Sequence, residues 1–217
     1  MSYQQQQNMD AFPASLDQAT HADHPDRDTS SLSILDWHAV DRFQGQPRQR
    51  QWLITEIFPQ AQASLLAASG GVGKSFLLLA LAREVARHDG DWFNAPVVFG
   101  GSLACHGAAL YVTAEDDAIE LHSRLNALGE IPPRLYVLPL PDAGGAQSFF
   151  AIDPSTKSPS TTAAWSSLIA EFESLNDLKL VVFDPLQPLC ALDLNVPENA
   201  QFVCSRLSAL AAQTGAA

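Results

Sequence analysis

The stretch LLAASGGVGKSFLLLALA, Leu65 to Ala82, constrains this chain more than any other. Gly70, Gly71 and Gly73 lead into Lys74 and Ser75, with a short apolar run before them and a longer apolar run after. Glycine reaches positive φ without a steric penalty and lets the backbone come close to a ligand, so successive N–H groups of such a loop can converge on one anion. A helix opening at Ser75 adds the partial positive charge of its N-terminus. Residues 68–75 fit the pattern G-x-x-x-x-G-K-[ST] except at Ala68, which holds the first glycine's place if its φ is negative. The expected ligand is the phosphate chain of ATP or a similar nucleotide, on the backbone of Gly70, Gly71, Val72, Gly73, Lys74, Ser75 and Phe76. Lys74 is expected to reach the β- and γ-phosphates and the Ser75 hydroxyl to bind Mg²⁺. A glycine-rich turn with an incidental lysine is the competing reading, and the strand–loop–helix context speaks against it.

Around this loop, short apolar runs alternate with helical spacings. ASLLAA (63–68), AALYVTA (108–114), LYVL (135–138) and LKLVVF (178–183) read as strands, and their nearly unbroken apolarity suits a parallel sheet covered on both faces. Leu121, Leu125 and Leu128 before Gly129, then Trp165, Leu168, Ile169 and Phe172, then Val203, Leu207 and Leu210 step by three or four, as helices do. Alternation at these lengths predicts an α/β domain built from βαβ units. Residues 141–162, rich in Pro, Gly, Ser and Thr, read as a long loop with a short strand at Phe149 to Ile152. Asp193, Asn195 and Glu198 are expected to cap the last helix, with Pro197 in its first turn.

Residues 1–31 are polar, with little apolar periodicity, and are expected to form a disordered acidic tail. The domain is expected over 32–217, its first part, 32–62, being a lead-in that carries Trp37, Phe43, Trp52, Leu53, Ile54, Ile57 and Phe58. Arg42, Arg48 and Arg50 in it are read as a solvated loop rather than as a contact with a neighbouring subunit or nucleic acid. The net charge is −12, from 12 Lys and Arg against 24 Asp and Glu, so no basic stripe advertises a nucleic-acid surface. DNA binding would have to be local, as in the channel of a ring. Cys105, Cys190 and Cys204 lack disulfide or zinc spacing and read as free, mostly buried thiols. No apolar run approaches the roughly 20 residues of a membrane span, and the N-terminus lacks the features of a signal peptide, so a cytoplasmic protein is expected.

Two carboxylate positions carry chemistry. LKLVVFD ends a strand on Asp184, where Mg²⁺ needs an outer ligand beside the cradle. AALYVTAEDD puts Glu115 at the end of another strand, where it can aim a water at the γ-phosphate and accept its proton. Asp116 and Asp117 read instead as the acidic start of the next helix. Phe149 and Phe150 could stack on bases in a channel, but core packing is the preferred reading, and His122, without a partner at metal spacing, is assigned no role.

The order WLI, LLAASGGVGKSFLLLALA, LYVTAEDD followed by a helix bearing Arg124-Leu125, and LKLVVFDPL resembles the RecA-like P-loop ATPases of plasmids and phages, the RepA-type replicative helicase group, over about Trp52 to Ala217. The resemblance implies a RecA-like fold with a mostly parallel sheet and helices on both faces. It implies ATP and Mg²⁺ as cofactors, Lys74 and Ser75 on nucleotide and metal, Asp184 as the second acidic motif and Glu115 as catalytic base. A homo-oligomeric ring, possibly a hexamer, and single-stranded DNA are the implied partners. Such proteins continue beyond a helix like Glu198 to Thr214 into a strand with a polar sensor and later a cation serving the neighbouring site. The expectation is therefore a fragment whose sheet is incomplete at the C-terminal end. Two other functions compete with the helicase reading: a nucleotide-gated regulator or scaffold, and a small-molecule kinase. The kinase is disfavoured because the 141–162 loop holds Lys157 and no arginine.

Overall fold

The computed structural model describes residues 34, 38–47, 49–87, 97–145, 147–172 and 174–217. The expected tail through residue 31, and with it Trp37 and Arg48, lies outside them. Contacts divide the chain into two units, 1–48 and 49–217. The first contains a short helix α1 (Ala39–Arg42), next to which His38 Nδ1 lies 2.8 Å from Asp41 Oδ2.

The second unit is organised around three parallel strands, β5 (Ala108–Thr113), β6 (Leu135–Pro139) and β9 (Leu178–Asp184), in the order β6-β5-β9. β5 is central and buried at every residue, as its unbroken apolarity predicts. Its side chains alternate between two cores. Ala109 and Tyr111, with Leu180 and Val182 of β9, face the core completed by α2 (Lys74–Ala86), α3 (Ala118–Leu128) and β1 (Trp52–Ile54). Ala108, Leu110 and Val112 face the other, completed by α4 (Ala163–Phe172) and α5 (Pro197–Thr214). Helices therefore cover both faces of the sheet. Fully burying a leucine such as Leu79, Leu121 or Leu189 contributes about 1.5–3 kcal/mol.

α3 and α5 have local reasons for their limits. α3 starts at Asp117, whose side chain accepts from the Glu120 amide, and stops at Gly129 with φ 92°. α5 begins with Pro197 in its first turn and ends at Gly215 with φ 73°. Its N-cap is Val196, with no side-chain cap, so the expected box of Asn195 and Glu198 is not formed. Asp193 instead accepts from the amide of Asn195 at 2.9 Å, an Asx turn that closes the loop before the helix.

Smaller pairings surround this frame. β1 pairs antiparallel with β2 (Phe58–Pro59), and β3 (Val97–Val98) with β4 (Gly101–Ser102). The expected long loop 141–162 contains two strands rather than one, β7 (Phe150–Ile152) and β8 (Pro159–Thr161), with β10 (Cys190–Ala191) on the other side of β7. Phe149 and Phe150 are buried against Trp165, which is the core reading of that pair. Of the three free thiols only Cys190 is buried; Cys204, on the outer side of α5, is exposed, so the expectation of mostly buried thiols fails there.

The segment 63–68, expected as a strand, carries no ladder. Leu65 is 80% exposed, and a cavity of about 220 Å³ is bounded by Leu65 and Leu66 on one side and Val181 to Asp184 on another. A strand needs a neighbour some 4.8 Å away to exchange hydrogen bonds, and the cavity stands where that neighbour would be. The outer edge of β9 is engaged instead by Ala217, whose N–H donates to Lys179 and whose carbonyl accepts from Val181.

Candidate functional site

The glycine-rich loop enters α2 through Gly73, which serves as N-cap at φ 90°, and Gly71 also stands in the left-handed region at φ 76°. Gly70 does not, and neither does Ala68, so alanine fits the place where the pattern has glycine. No side chain caps α2 and its first turn has no acid. The amides of Lys74, Ser75 and Phe76 are thus left without helical partners, next to the positive end of the helix dipole. Lys74 Nζ folds back over the loop and donates to the carbonyls of Ala68 at 2.9 Å and Ser69 at 2.8 Å. That holds an ammonium group against a ring of backbone that can turn N–H groups towards an anion.

The C-terminal ends of β5 and β9 lie beside this helix start. Thr113 pairs with Asp184, and the Ala114 amide donates to the Asp184 carbonyl at 3.2 Å, tying the two ends together. Residues two apart share a face of a strand, so Tyr111 and Thr113 on β5 and Val182 and Asp184 on β9 point towards α2. Asp184 is buried, and the Tyr111 phenol donates to its Oδ2 at 2.6 Å. The same phenol oxygen lies 3.5 Å from the Ser75 carbonyl, too far to compete for its single proton. Burial, and then the bond to Asp184, push the Tyr111 hydroxyl far above the ordinary tyrosine range, so it stays a donor.

Beyond β5 the three acids part company. Thr113 Oγ1 accepts from the amides of Glu115 at 3.3 Å and Asp116 at 3.1 Å, which turns the chain out of the sheet. Glu115 is exposed, and its carboxylate has no hydrogen-bond partner among the described residues. Asp116 turns back to Arg124 Nη1 at 2.6 Å, while Arg124 Nε donates to Glu120 at 2.8 Å. Burial raises the Asp116 carboxyl above the usual carboxylate range, against the pull of Arg124. Asp117 is the helix cap, and Asp142 adds a second acceptor there, for the Ala118 amide at 2.6 Å. The helix-start reading thus applies to Asp117, and Asp116 belongs to an ion pair that reading did not foresee.

Lys74, Ser75 and Asp184 come together at one end of the sheet, and Glu115 leaves the same end on the neighbouring strand. Tyr111 and Thr113 were not singled out from the sequence. The signal for both was the two-residue alternation of AALYVT, which puts these two polar-tipped residues on one face. Among the described residues no three His, Cys, Asp or Glu side chains gather into a metal cage, and His122 is exposed. No helix of the described residues is long and apolar enough to cross a membrane. A family model described as an AAA domain matches residues 28–217. No curated protein matches the chain.

Proposed function

The chain belongs to the AAA domain family, a family of nucleotide-binding P-loop ATPases, and we propose that it binds ATP on the loop before α2 and hydrolyses it with Mg²⁺. The observation that carries this reading is the uncapped, acid-free start of α2 set against the end of β9, which bears the Asp184 carboxylate, with Glu115 just beyond the end of β5. The amides from Gly70 to Phe76 take the phosphate oxygens, and Lys74 exchanges the carbonyls of Ala68 and Ser69 for the β- and γ-phosphates.

A hydroxyl and a carboxylate are the hard oxygen donors that Mg²⁺ accepts, and it completes its shell with waters and phosphate oxygens rather than a protein cage. Ser75 and Asp184 would hold it, and the second oxygen of Asp184, Oδ1, has no hydrogen-bond partner among the described residues. Bound there, the ion would neutralise charge on the β- and γ-phosphates. Glu115, whose carboxylate has no hydrogen-bond partner among the described residues, orients the attacking water and takes its proton.

Beyond hydrolysis, the motif order supports a ring-forming, DNA-dependent ATPase of the RepA-type helicase group. The acidic balance of the chain favours a second reading, a nucleotide-gated regulator or scaffold that does not act on DNA, because 24 acids against 12 bases give no general attraction for a polyanion. ATP turnover with and without single-stranded DNA, read together with solution mass, separates them. Stimulation in an oligomer of ring size supports the first, and slow turnover indifferent to DNA supports the second. The nucleotide reading itself is tested by thermal unfolding. Mg-ATP at 100 times its dissociation constant is expected to add about 2.7 kcal/mol of stability. Lys74→Ala should lose that gain, and a wild-type melting curve unmoved by Mg-ATP refutes nucleotide binding here.

A further inference from the structure

Tyr111 stands out on the α2 face of β5. Its neighbours in that core, Leu79, Ala82, Leu180 and Val182, are apolar, and phenylalanine would fill the same space. The hydroxyl is tolerated in such surroundings only with a partner, and its partner is Asp184 Oδ2 at 2.6 Å. Asp184, itself 5% exposed, has this phenol as its one side-chain hydrogen-bond partner among the described residues.

The geometry points to Tyr111 as a positioning residue for the metal: by holding Oδ2 it fixes the plane of the Asp184 carboxylate and presents Oδ1 alone to Mg²⁺. This rests on the reading of Asp184 as a ligand of the magnesium–nucleotide complex. Three considerations support it. The last torsion of an aspartate is broad, so an untethered carboxylate would rotate. Mg²⁺ demands near-ideal octahedral geometry, so that freedom would cost affinity. Carboxylates that bind metals are in turn held by hydrogen bonds. The phenol oxygen also lies 3.5 Å from the backbone carbonyl of Ser75, the residue whose hydroxyl is the other expected ligand, so one side chain reaches both residues.

The test is the Mg²⁺ concentration that half-saturates the enhancement of ATP binding to the 217-residue chain. It is measured by calorimetry for wild type, Tyr111→Phe, Asp184→Ala and the double variant, with ATP affinity in EDTA as reference. Tyr111→Phe should raise the half-point about 10- to 100-fold, the usual effect of losing a partner of a metal ligand. It should leave metal-free ATP affinity unchanged, and it should add nothing in the Asp184→Ala background. In the unmodified chain, Mg²⁺ added to the ATP complex should shift the ring-carbon resonance of Tyr111, assigned by its loss in Tyr111→Phe.

A wild-type half-point in Tyr111→Phe, with a raised one in Asp184→Ala, overturns the role of Tyr111 and leaves the Asp184 reading standing. A fall in metal-free ATP affinity, or an equal shift in the Asp184→Ala background, makes Tyr111 a packing residue and overturns the proposal. So does an unmoved ring resonance. No Mg²⁺ effect in wild type, or none lost in Asp184→Ala, overturns the Asp184 reading and this proposal with it.

Discussion

Gly73 and Gly70 are three residues apart in one loop and have different physical obligations. Gly73, at φ 90°, is in a conformation that costs an L-residue about 1–2 kcal/mol, although a Cβ there would meet nothing within 4 Å. Gly70 has neither a positive φ nor a neighbour within 4 Å. Urea unfolding of the nucleotide-free chain should therefore show Gly73→Ala destabilised by about that amount, and Gly70→Ala within about 0.5 kcal/mol of wild type. The adjacent acids divide in the same manner. Glu115→Gln is expected to keep nucleotide binding and lose turnover, because an amide cannot accept the proton of the attacking water. Asp116→Asn is expected to keep turnover and to weaken the pairing with Arg124, whose side chain keeps Glu120. Binding and turnover measured on the two variants check this, and equal losses of turnover would mean that Glu115 is not the base.

At the scale of elements, the candidate site is assembled because β5 and β9 run side by side and end together. Gly107 guards the start of that pairing. A Cβ there would lie 2.3 Å from the Asp177 carbonyl oxygen and 2.3 Å from Lys179 Cγ. The lysine stem can move, but the carbonyl accepts the Ala108 amide at 2.8 Å and is part of the ladder. Gly107→Ala is expected to cost about 1–3 kcal/mol, the usual range for overpacking, read as a lower urea midpoint. Amide exchange should be faster over 108–110 and 178–181, with α5 little changed; uniform loosening would show that the strand starts are not the weak point. The segment 63–68 teaches the complementary lesson. Its composition suits a strand, but ladder bonds come from a neighbour, and the cavity beside β9 leaves it without one.

For the whole molecule, the two cores on either side of the sheet set stability, and one buried thiol makes that stability depend on pH. Cys190 stands in β10, packed into the α4–α5 core, and burial pushes its thiol up from 9.0 to about 11. The folded chain keeps this proton where the unfolded chain has lost it. The contribution is therefore complete below pH 9 and is lost as pH rises towards 11. Wild type is expected to lose of the order of 2 kcal/mol more than Cys190→Ala over that interval. Unfolding midpoints at pH 8, 9, 10 and 11 measure the difference, and parallel curves would show that Cys190 does not titrate with unfolding.

The sequence by itself determined the features that depend on nearest neighbours or on chain period. The glycine loop leading into α2, the apolar strands β5, β6 and β9, the helices ending at Gly129 and Gly215, and Asp184 at a strand's end all follow from local φ requirements and from alternation. Tertiary structure decided what depends on partners beyond a single turn of chain. It paired Tyr111 with Asp184, 73 residues away, and gave Asp116 to Arg124, while the Glu115 carboxylate has no hydrogen-bond partner among the described residues. It folded 150–161 into a hairpin against β10, and it withheld a ladder from 63–68. The reason is physical: a turn or a helix is satisfied by residues three or four away, whereas a hydrogen bond between side chains, or a strand's edge, is satisfied only by what folding brings alongside it.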